Sequence, residues 1–131
     1  MSRTDLVADA LTIIRNASRS NKEDAIIPYS KVLNGIVDIL KKESYIDNFK
    51  VLDSGNTKSI KVYLKYKGKK NAITQLKKVS RSGRRVYVDK DNIPSVLSGY
   101  GIAIISTSKG ILSSVDTKKM GIGGEVICYV W

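Results

Sequence analysis

Residues 58–66 read Lys-Ser-Ile-Lys-Val-Tyr-Leu-Lys-Tyr, and this stretch decides the fold of the first half of the chain. Apolar side chains at Ile60, Val62 and Leu64 alternate with lysine and tyrosine, which is the period of a strand with one buried face. We therefore expect a sheet that packs on helices through one face and presents basic and aromatic groups on the other.

Two helices and two further strands are predicted before this strand. Apolar residues at helical spacing indicate the helices, with Thr4 and Ser30 as N-caps and Ile13 on the inward face of the first. In chain order the prediction is a helix at 4–17, a strand at 25–27, a helix at 31–43, and strands at 45–53 and 58–66.

The second half is predicted to be mostly strand with short helices. Pro94 in a first turn and Gly99 at the end favour one short helix, and Ser113 with Asp116 resembles the capping box of another that ends at Gly121. In chain order the prediction is strands at 72–79 and 84–88, a helix at 92–98, a strand at 102–107, the helix before Gly121, and a strand at 125–130.

These elements predict an α+β fold of two small subdomains that share an interface. Residues 1–67 form an N-terminal α-β-α-β-β unit, and residues 68–131 form a C-terminal, mostly β unit with short helices. The lysine-rich stretch 67–71 is the predicted linker between them.

Composition argues against an enzyme. Histidine is absent, which removes the commonest general base and metal ligand, and the single Cys128 lies in an apolar stretch typical of a buried thiol. We expect no catalytic residue, no metal, no cofactor and no small-molecule substrate. No apolar run of about eighteen residues is present, so we expect no membrane segment, and the cytoplasm is the default location.

Positive charge is concentrated in the middle of the chain. Residues 50–90 carry 13 lysines and arginines against Asp53 and Asp89, a net of 13 − 2 = +11, which equals the charge of the whole protein. A localised basic surface of this kind indicates a polyanionic partner such as nucleic acid. A basic surface that only aids solubility is the alternative.

Two nearly neutral turns are candidate binding elements. Ser106, Thr107, Ser108, Lys109 and Gly110 follow an apolar strand and offer short hydroxyl donors and acceptors, although such turns are also common structural elements. Three glycines in residues 121–125 indicate close approach to RNA or to the first turn. A helix cap followed by a bulge explains the same glycines equally well.

Arg84, Arg85 and Tyr87 crowd one predicted strand. Arginine binds phosphate in a bidentate manner and tyrosine can stack on an unpaired base, while simple packing of Tyr87 on the sheet is the alternative. Sequence physics alone assigns Arg15 and Ser30-Lys31 structural roles at helix ends.

Taken together, these segments resemble the bacterial-type small-subunit ribosomal protein eight family along essentially the full chain. The strongest match is Ser106-Thr107-Ser108-Lys109-Gly110, followed by Gly123-Gly124-Glu125 and the ending Tyr129-Val130-Trp131. Supporting matches are Arg15-Asn16-Ala17, Pro28 with Ser30-Lys31, Leu64-Lys65-Tyr66 and Val79-Ser80-Arg81. The chain departs from the family pattern at Leu6, Ile13 and Ser82.

The resemblance implies primary binding to a helical junction in the central domain of small-subunit rRNA, and a role in subunit assembly. It implies rRNA contacts at residues 106–110 and at Gly123, Gly124, Glu125 and Tyr87. A second contact at Thr4, Arg15 and Lys31 is also implied. Neighbouring small-subunit ribosomal proteins would be partners, and repression of its own operon through an mRNA mimic of the rRNA site is a further implied role. A cytoplasmic ribosome is expected, with an organellar ribosome left open.

Three hypotheses follow. A ribosomal protein would bind one rRNA site selectively, with the lysines and arginines of residues 50–90 supplying unspecific attraction and the neutral turns supplying shape readout. A general nucleic-acid-binding protein would bind RNA and DNA with little discrimination. An enzyme would require a pocket with a strongly shifted lysine or carboxylate pKa.

Overall fold

The computed structural model describes residues 3–81 and 83–131, with side chains from Leu6 onward in the first helix. Its helices are α1 (Arg3–Arg19), α2 (Lys31–Lys42) and α3 (Ser114–Met120). Its strands are β1 (Asp24–Pro28), β2 (Ile46–Asp53), β3 (Lys58–Leu64), β4 (Tyr66–Lys67), β5 (Lys70–Asn71), β6 (Leu76–Lys78), β7 (Tyr87–Val88), β8 (Ile102–Thr107), β9 (Gly110–Ser113) and β10 (Gly124–Val130). The predicted α+β class is confirmed. Within the described ranges, no helix is long and apolar enough to cross a membrane.

The first sheet is antiparallel, in the order β1-β3-β2, and is centred on the alternating strand. Ile60, Val62 and Leu64 are buried, as the alternation predicts, while Lys61 and Tyr63 remain partly exposed. Ser30 caps α2 as predicted, because its side chain accepts a hydrogen bond of 3.0 Å from the Leu33 amide. The first half therefore folds as a helix-covered sheet with one open face.

The second sheet has the strand order β6-β10-β8-β9, with β7 also paired to β10. The last strand of the chain, β10, thus lies inside the sheet rather than at its edge. The predicted helix after Ser113 is confirmed: the Ser113 side chain accepts a 3.2 Å hydrogen bond from the Asp116 amide, and Gly121 ends the helix with a φ of +66°.

One hydrophobic cluster joins the two halves. Its buried side chains come from α1, α2 and the first sheet and also from β6, β8 and β10, for example Ile14, Val62, Ile104 and Val130. The Arg15 guanidinium adds a polar connection, since its Nη1 donates a 3.2 Å hydrogen bond to the Leu76 carbonyl in β6. A smaller cluster around Val96 and Ile105 covers the other face of the second sheet.

The predicted helix at 92–98 is wrong. Residues 92–96 are irregular, and Leu97–Gly99 form a single 3-10 turn in which all three φ values are positive (+47°, +53° and +97°). Pro94 disfavours helical geometry in the residue before it. A left-handed turn cannot continue a right-handed helix, so the chain reverses here and enters β8 instead.

Several other predictions need adjustment. The predicted linker at 67–71 forms a small β4–β5 hairpin, the predicted strands at 72–79 and 84–88 shorten to β6 and β7, and β9 was missed. Residues 74 and 75 lie outside β6, although the Thr74 and Gln75 amides donate to the Trp131 carbonyl and the Trp131 amide donates to the Gln75 carbonyl. The predicted inward position of Ile13 is wrong: its side chain is 39% exposed, while Ala10, Ile14 and Ala17 are buried. Thr4, the predicted N-cap, lies within α1, which begins at Arg3, so the helix does not start where predicted. Ser82 lies outside the described residues.

Candidate nucleic-acid interface

The hydroxyl-rich segment forms the tight turn between β8 and β9. Thr107 pairs with Gly110, so Ser108 and Lys109 occupy the tip, and both are exposed. Gly110 adopts a φ of +107°, which glycine reaches without steric cost. The turn therefore stands in solvent at the end of a buried strand, available to a partner.

The three hydroxyls of this turn differ in their roles. The Thr107 hydroxyl donates to the Gly110 carbonyl (2.8 Å) and accepts from the Lys109 amide (3.1 Å), so it closes the turn. Within residues 3–81 and 83–131, the Ser106 and Ser108 hydroxyls have no hydrogen-bond partner in the protein. These two hydroxyls are therefore available to an external partner.

The glycine segment packs against the same turn. Glu125 lies opposite Ser106 on β8 and opposite Tyr87 on β7, so β10 brings two of the predicted sites together. A Cβ on Gly124 would collide with the Ser106 carbonyl oxygen, and one on Gly123 would collide with the Val88 carbonyl oxygen. The glycines thus allow close backbone packing within the protein. For Gly124 this is the close approach to the turn at 106–110 that the sequence left open as one alternative.

Arg85 and Glu125 form an ion pair beside the turn. The Arg85 Nη1 lies 3.1 Å from the Glu125 Oε2, and the Glu125 side chain is only 18% exposed. The pair holds the guanidinium beside β10 and partly neutralises a carboxylate that would otherwise repel phosphate. Tyr87 lies 66% exposed on the neighbouring strand, so its ring is available for stacking.

A cleft of about 230 Å³ runs beside this cluster. Arg85, Glu125 and Ser106 line it, together with Val7 of α1 and Val32 of α2, so both halves of the chain contribute. Its remaining lining residues are Lys78, Ser80 and Ile127.

Sequence reasoning missed Lys78 and Ser80 as residues of this surface. Ser80 is buried, and its hydroxyl accepts a 2.9 Å hydrogen bond from the Val86 amide, which fixes the segment that carries Arg85. The Lys78 ammonium donates to the Ser80 carbonyl. A Val-Ser-Arg match to the family pattern was the available signal for Ser80, whereas no pattern in the sequence marks Lys78.

Burial shifts the pKa of two neighbouring groups. Burial lowers the pKa of the Lys78 ammonium. Cys128 and Glu125 oppose this shift, whereas the positive charges of Arg85 and Arg81 lower the pKa further. Burial raises the pKa of the Cys128 thiol to about 12, with Lys78 opposing the shift. Cys128 is therefore a protonated core thiol at neutral pH, as the sequence indicated.

The remaining predicted residues are more dispersed. Lys31 is exposed at the start of α2 and lines a small cavity with Leu6 and Val7. Arg15 is partly buried and directed at β6, so its role is structural, but it is not the role at a helix end that the sequence indicated, because α1 continues to Arg19. Arg84 is exposed in the short turn that it shares with Arg81. The Thr4 side chain lies outside the described residues.

The exposed groups of this surface are suited to binding a partner. Within residues 3–81 and 83–131, no group of three or more cysteine, aspartate or glutamate side chains is placed to hold a metal ion. Exposed hydroxyls, a stacking ring and cations on rigid strands are typical of surfaces that recognise folded RNA by shape.

Comparison with known proteins defines the family. The family model described as "Ribosomal protein S8" matches residues 5–131. The chain is 52% identical over 128 residues to the small ribosomal subunit protein uS8 of Mycoplasmopsis pulmonis, covering 98% of this chain and 97% of the relative. It is 49% identical to the protein of the same name from Dictyoglomus thermophilum over 131 residues, which is 100% of both chains. The chain belongs to the ribosomal protein S8 family.

Proposed function

We propose that this protein is a structural constituent of the small ribosomal subunit in the cytoplasm, where it binds small-subunit rRNA and has neighbouring ribosomal proteins as partners. Family membership over residues 5–131 supports this role, and the relatives carry the names of ribosomal proteins rather than enzymes. In this proposal the protein docks on a helical junction in the central domain of the rRNA and aids assembly of the subunit.

The proposed contact surface is the turn at 106–110 together with Gly123, Gly124, Glu125, Tyr87, Arg84 and Arg85. The observation that carries the proposal is the pairing of Ser106 with Glu125, which sets an exposed hydroxyl turn beside the Arg85–Glu125 ion pair on a rigid sheet. Thr4, Arg15 and Lys31 would form a second contact from the N-terminal half. An mRNA segment folded like the rRNA site would fit the same surface and would allow repression of its own operon.

In this proposal, affinity and selectivity have different sources. Lysines of residues 50–90 attract any polyanion, because each neutralised phosphate releases condensed counterions. The neutral turn makes directional hydrogen bonds that only a correctly shaped RNA can satisfy. We also propose that the chain is organised as subdomains 1–67 and 68–131, in keeping with sheets built from residues 24–64 and 76–130.

A competition experiment tests the proposed function. A fluorescent rRNA fragment containing the central-domain junction is bound to the purified protein, and duplex DNA of equal charge is titrated against it. We expect the DNA to compete poorly at moderate salt. Equal affinity for the DNA would contradict ribosomal specificity and would favour a general nucleic-acid-binding protein.

Serine variants then test the turn itself. Ser106→Ala combined with Ser108→Ala should lower affinity for the rRNA fragment about tenfold, because each lost hydrogen bond contributes about 0.5–1.5 kcal/mol. The matched control is Ser95→Ala, which removes an exposed hydroxyl elsewhere. Lys65→Ala should weaken RNA and DNA alike. Unchanged rRNA affinity in the double serine variant would contradict readout by the turn.

A further inference from the structure

A second pocket lies on the face of β6 and β10 that carries the smaller hydrophobic cluster. Lys77 pairs with Tyr129 across these strands, so their side chains stand side by side on one face. Two 3.0 Å backbone hydrogen bonds between Arg81 and Arg84 close a tight turn above that face. The enclosed space measures about 360 Å³ and is lined by Lys77, Lys78, Val79, Arg81, Arg84, Val86 and Tyr129.

Cations surround this pocket without compensation. Four of its lining side chains are lysine or arginine, and among the described residues that line it none carries a carboxylate. Glu125, whose charge also acts on Lys78, is held in its ion pair with Arg85, 3.1 Å away. Cations that line one pocket repel each other, and binding of an anion relieves the repulsion.

The floor of the pocket is apolar and aromatic. Val79, Val86 and Tyr129 are partly buried and pack against the cluster of Val96 and Val126. A floor of this kind under a cationic rim matches the two parts of a nucleotide, since a base stacks on an aromatic ring and a phosphate binds lysine and arginine. A base pair inside a duplex would not enter, because its faces are covered by stacking neighbours.

We propose that this pocket binds one unpaired nucleotide, with its base against Tyr129 and its phosphate on Lys77 and Arg84. The inference rests on the proposed function, because it takes the nucleotide to be part of the bound rRNA rather than a free nucleoside phosphate. Position supports this source: Lys78 lines both the pocket and the cleft beside Ser106, and Arg84 precedes Arg85 in the chain. The pocket thus extends the proposed RNA surface to the other side of the residue 84–86 segment.

Nuclear magnetic resonance of the full chain locates the ligand. The Tyr129 ring and Lys77 amide signals are followed during titration with uridine 5′-monophosphate and, separately, with the rRNA fragment. We expect both signals to shift with the fragment at micromolar concentration and with the mononucleotide only at millimolar concentration. Shifts with the mononucleotide but not with the fragment would overturn the RNA source, and no shift with either would overturn the pocket as a nucleotide site.

A charge-matched pair of variants tests the same assignment by affinity. Lys77→Gln with Arg84→Gln should lower affinity for the rRNA fragment more than affinity for duplex DNA. It should also reduce the slope of log affinity against log salt by about two, one for each lost phosphate contact. The control is Lys69→Gln with Lys70→Gln, which removes the same charge from the β4–β5 hairpin and should weaken both ligands alike. Equal effects of the two double variants on both ligands would contradict the pocket.

These outcomes separate the two proposals. If the unmodified protein fails to prefer the rRNA fragment over DNA, the proposed ribosomal function fails. If that preference holds while the Tyr129 signal stays fixed, the turn at 106–110 remains a candidate for recognition and the nucleotide pocket alone is refuted.

Discussion

Two hairpin turns of this protein differ in charge and in structural support, and the proposed function assigns attraction to one and recognition to the other. The β4–β5 hairpin carries Lys67, Lys69 and Lys70, all exposed, at the join between the two halves of the chain. The β8–β9 turn carries one lysine and is supported from behind by β10, which pairs with β8 along most of its length. The first turn offers charge on a short ladder of two residue pairs, and the second offers directed hydroxyls on a rigid sheet.

In the proposed function, rigid support rather than charge density distinguishes the turn that reads RNA shape. A lysine on a flexible stem attracts phosphate at many positions, so it adds affinity without selectivity. A hydroxyl on a buried strand has a fixed direction, so it adds selectivity without much affinity. The following predictions test this division, beginning with the largest expected effect.

Gly124→Ala should damage the supported turn most. The added methyl group would collide with the Ser106 carbonyl oxygen and press on Ile105, so β10 and β8 must separate. We expect the free energy of unfolding to fall by about 1–3 kcal/mol, which is typical of overpacking, and selective rRNA affinity to fall with it. Urea unfolding and the DNA competition experiment measure the two effects.

Gly83→Ala is the control for this change. A methyl group at that position meets open space, so stability should change by less than about 0.5 kcal/mol. If Gly124→Ala unfolded at the same urea concentration as the unmodified protein, close packing of β10 against the turn would not be the source of its rigidity.

Arg15→Gln should have the next largest effect. The change removes the hydrogen bond from the guanidinium to the Leu76 carbonyl, which connects α1 to β6. We expect a loss of about 1–2 kcal/mol, measured by urea unfolding, because a charged donor is removed from a partly buried acceptor. Arg19→Gln, at the exposed end of the same helix, is the control and should cost a few tenths of a kcal/mol at most. Equal effects of the two variants would contradict a stabilising role for the hydrogen bond between Arg15 and the Leu76 carbonyl.

The Cys128 thiol tests the burial of β10 through pH. Burial raises the pKa of this thiol from its ordinary 9.0 to about 12 in the folded protein, so its contribution to stability is fully present below pH 9 and is lost as pH rises toward 12. Unfolding free energies of the protein and of Cys128→Ala are compared at pH 8 and pH 10. The unmodified protein should lose about 1 kcal/mol more than the variant. An identical pH dependence would indicate that the thiol reaches water in the folded state.

Lys69→Gln with Lys70→Gln should have the smallest effect on stability. Both side chains are exposed, so unfolding should change by less than about 0.5 kcal/mol. Affinity for RNA and DNA should fall equally, with each salt slope reduced by up to about two. A selective loss of rRNA affinity would contradict the proposed division between the two turns, because it would place recognition in the charged β4–β5 hairpin.

The sequence predicted the elements whose signal is local. The alternation of Ile60, Val62 and Leu64 and the caps at Ser30 and Ser113 appear in the structure as expected. The helix predicted at 92–98 is absent because Leu97–Gly99 form a left-handed turn, which the residue types at the predicted helix ends did not indicate. Val96, the residue before this turn, packs on the second sheet, and no local pattern in the sequence reports that contact.

The candidate site was likewise predicted only where its signal is local in the sequence. The turn at 106–110 and the glycines at 123 and 124 follow from residue types and from the family resemblance. The pairing of Glu125 with Arg85 depends on the register between two strands distant in sequence, and Lys78 enters only through the fold. Resemblance named Arg15 as an RNA contact, whereas the structure directs its side chain to the Leu76 carbonyl.

The position of β10 has a consequence for the order of events during protein synthesis. β6, β7 and β8 all precede β10 in the chain, and all three pair with it. The nascent chain can form the first sheet and its helices while translation continues, but these three strands cannot join until β10 has also left the synthesising ribosome. The surface that carries Ser106 and Glu125 would then appear only after β10 has emerged, so a product truncated before β10 would offer charge to RNA without the proposed means of selecting it.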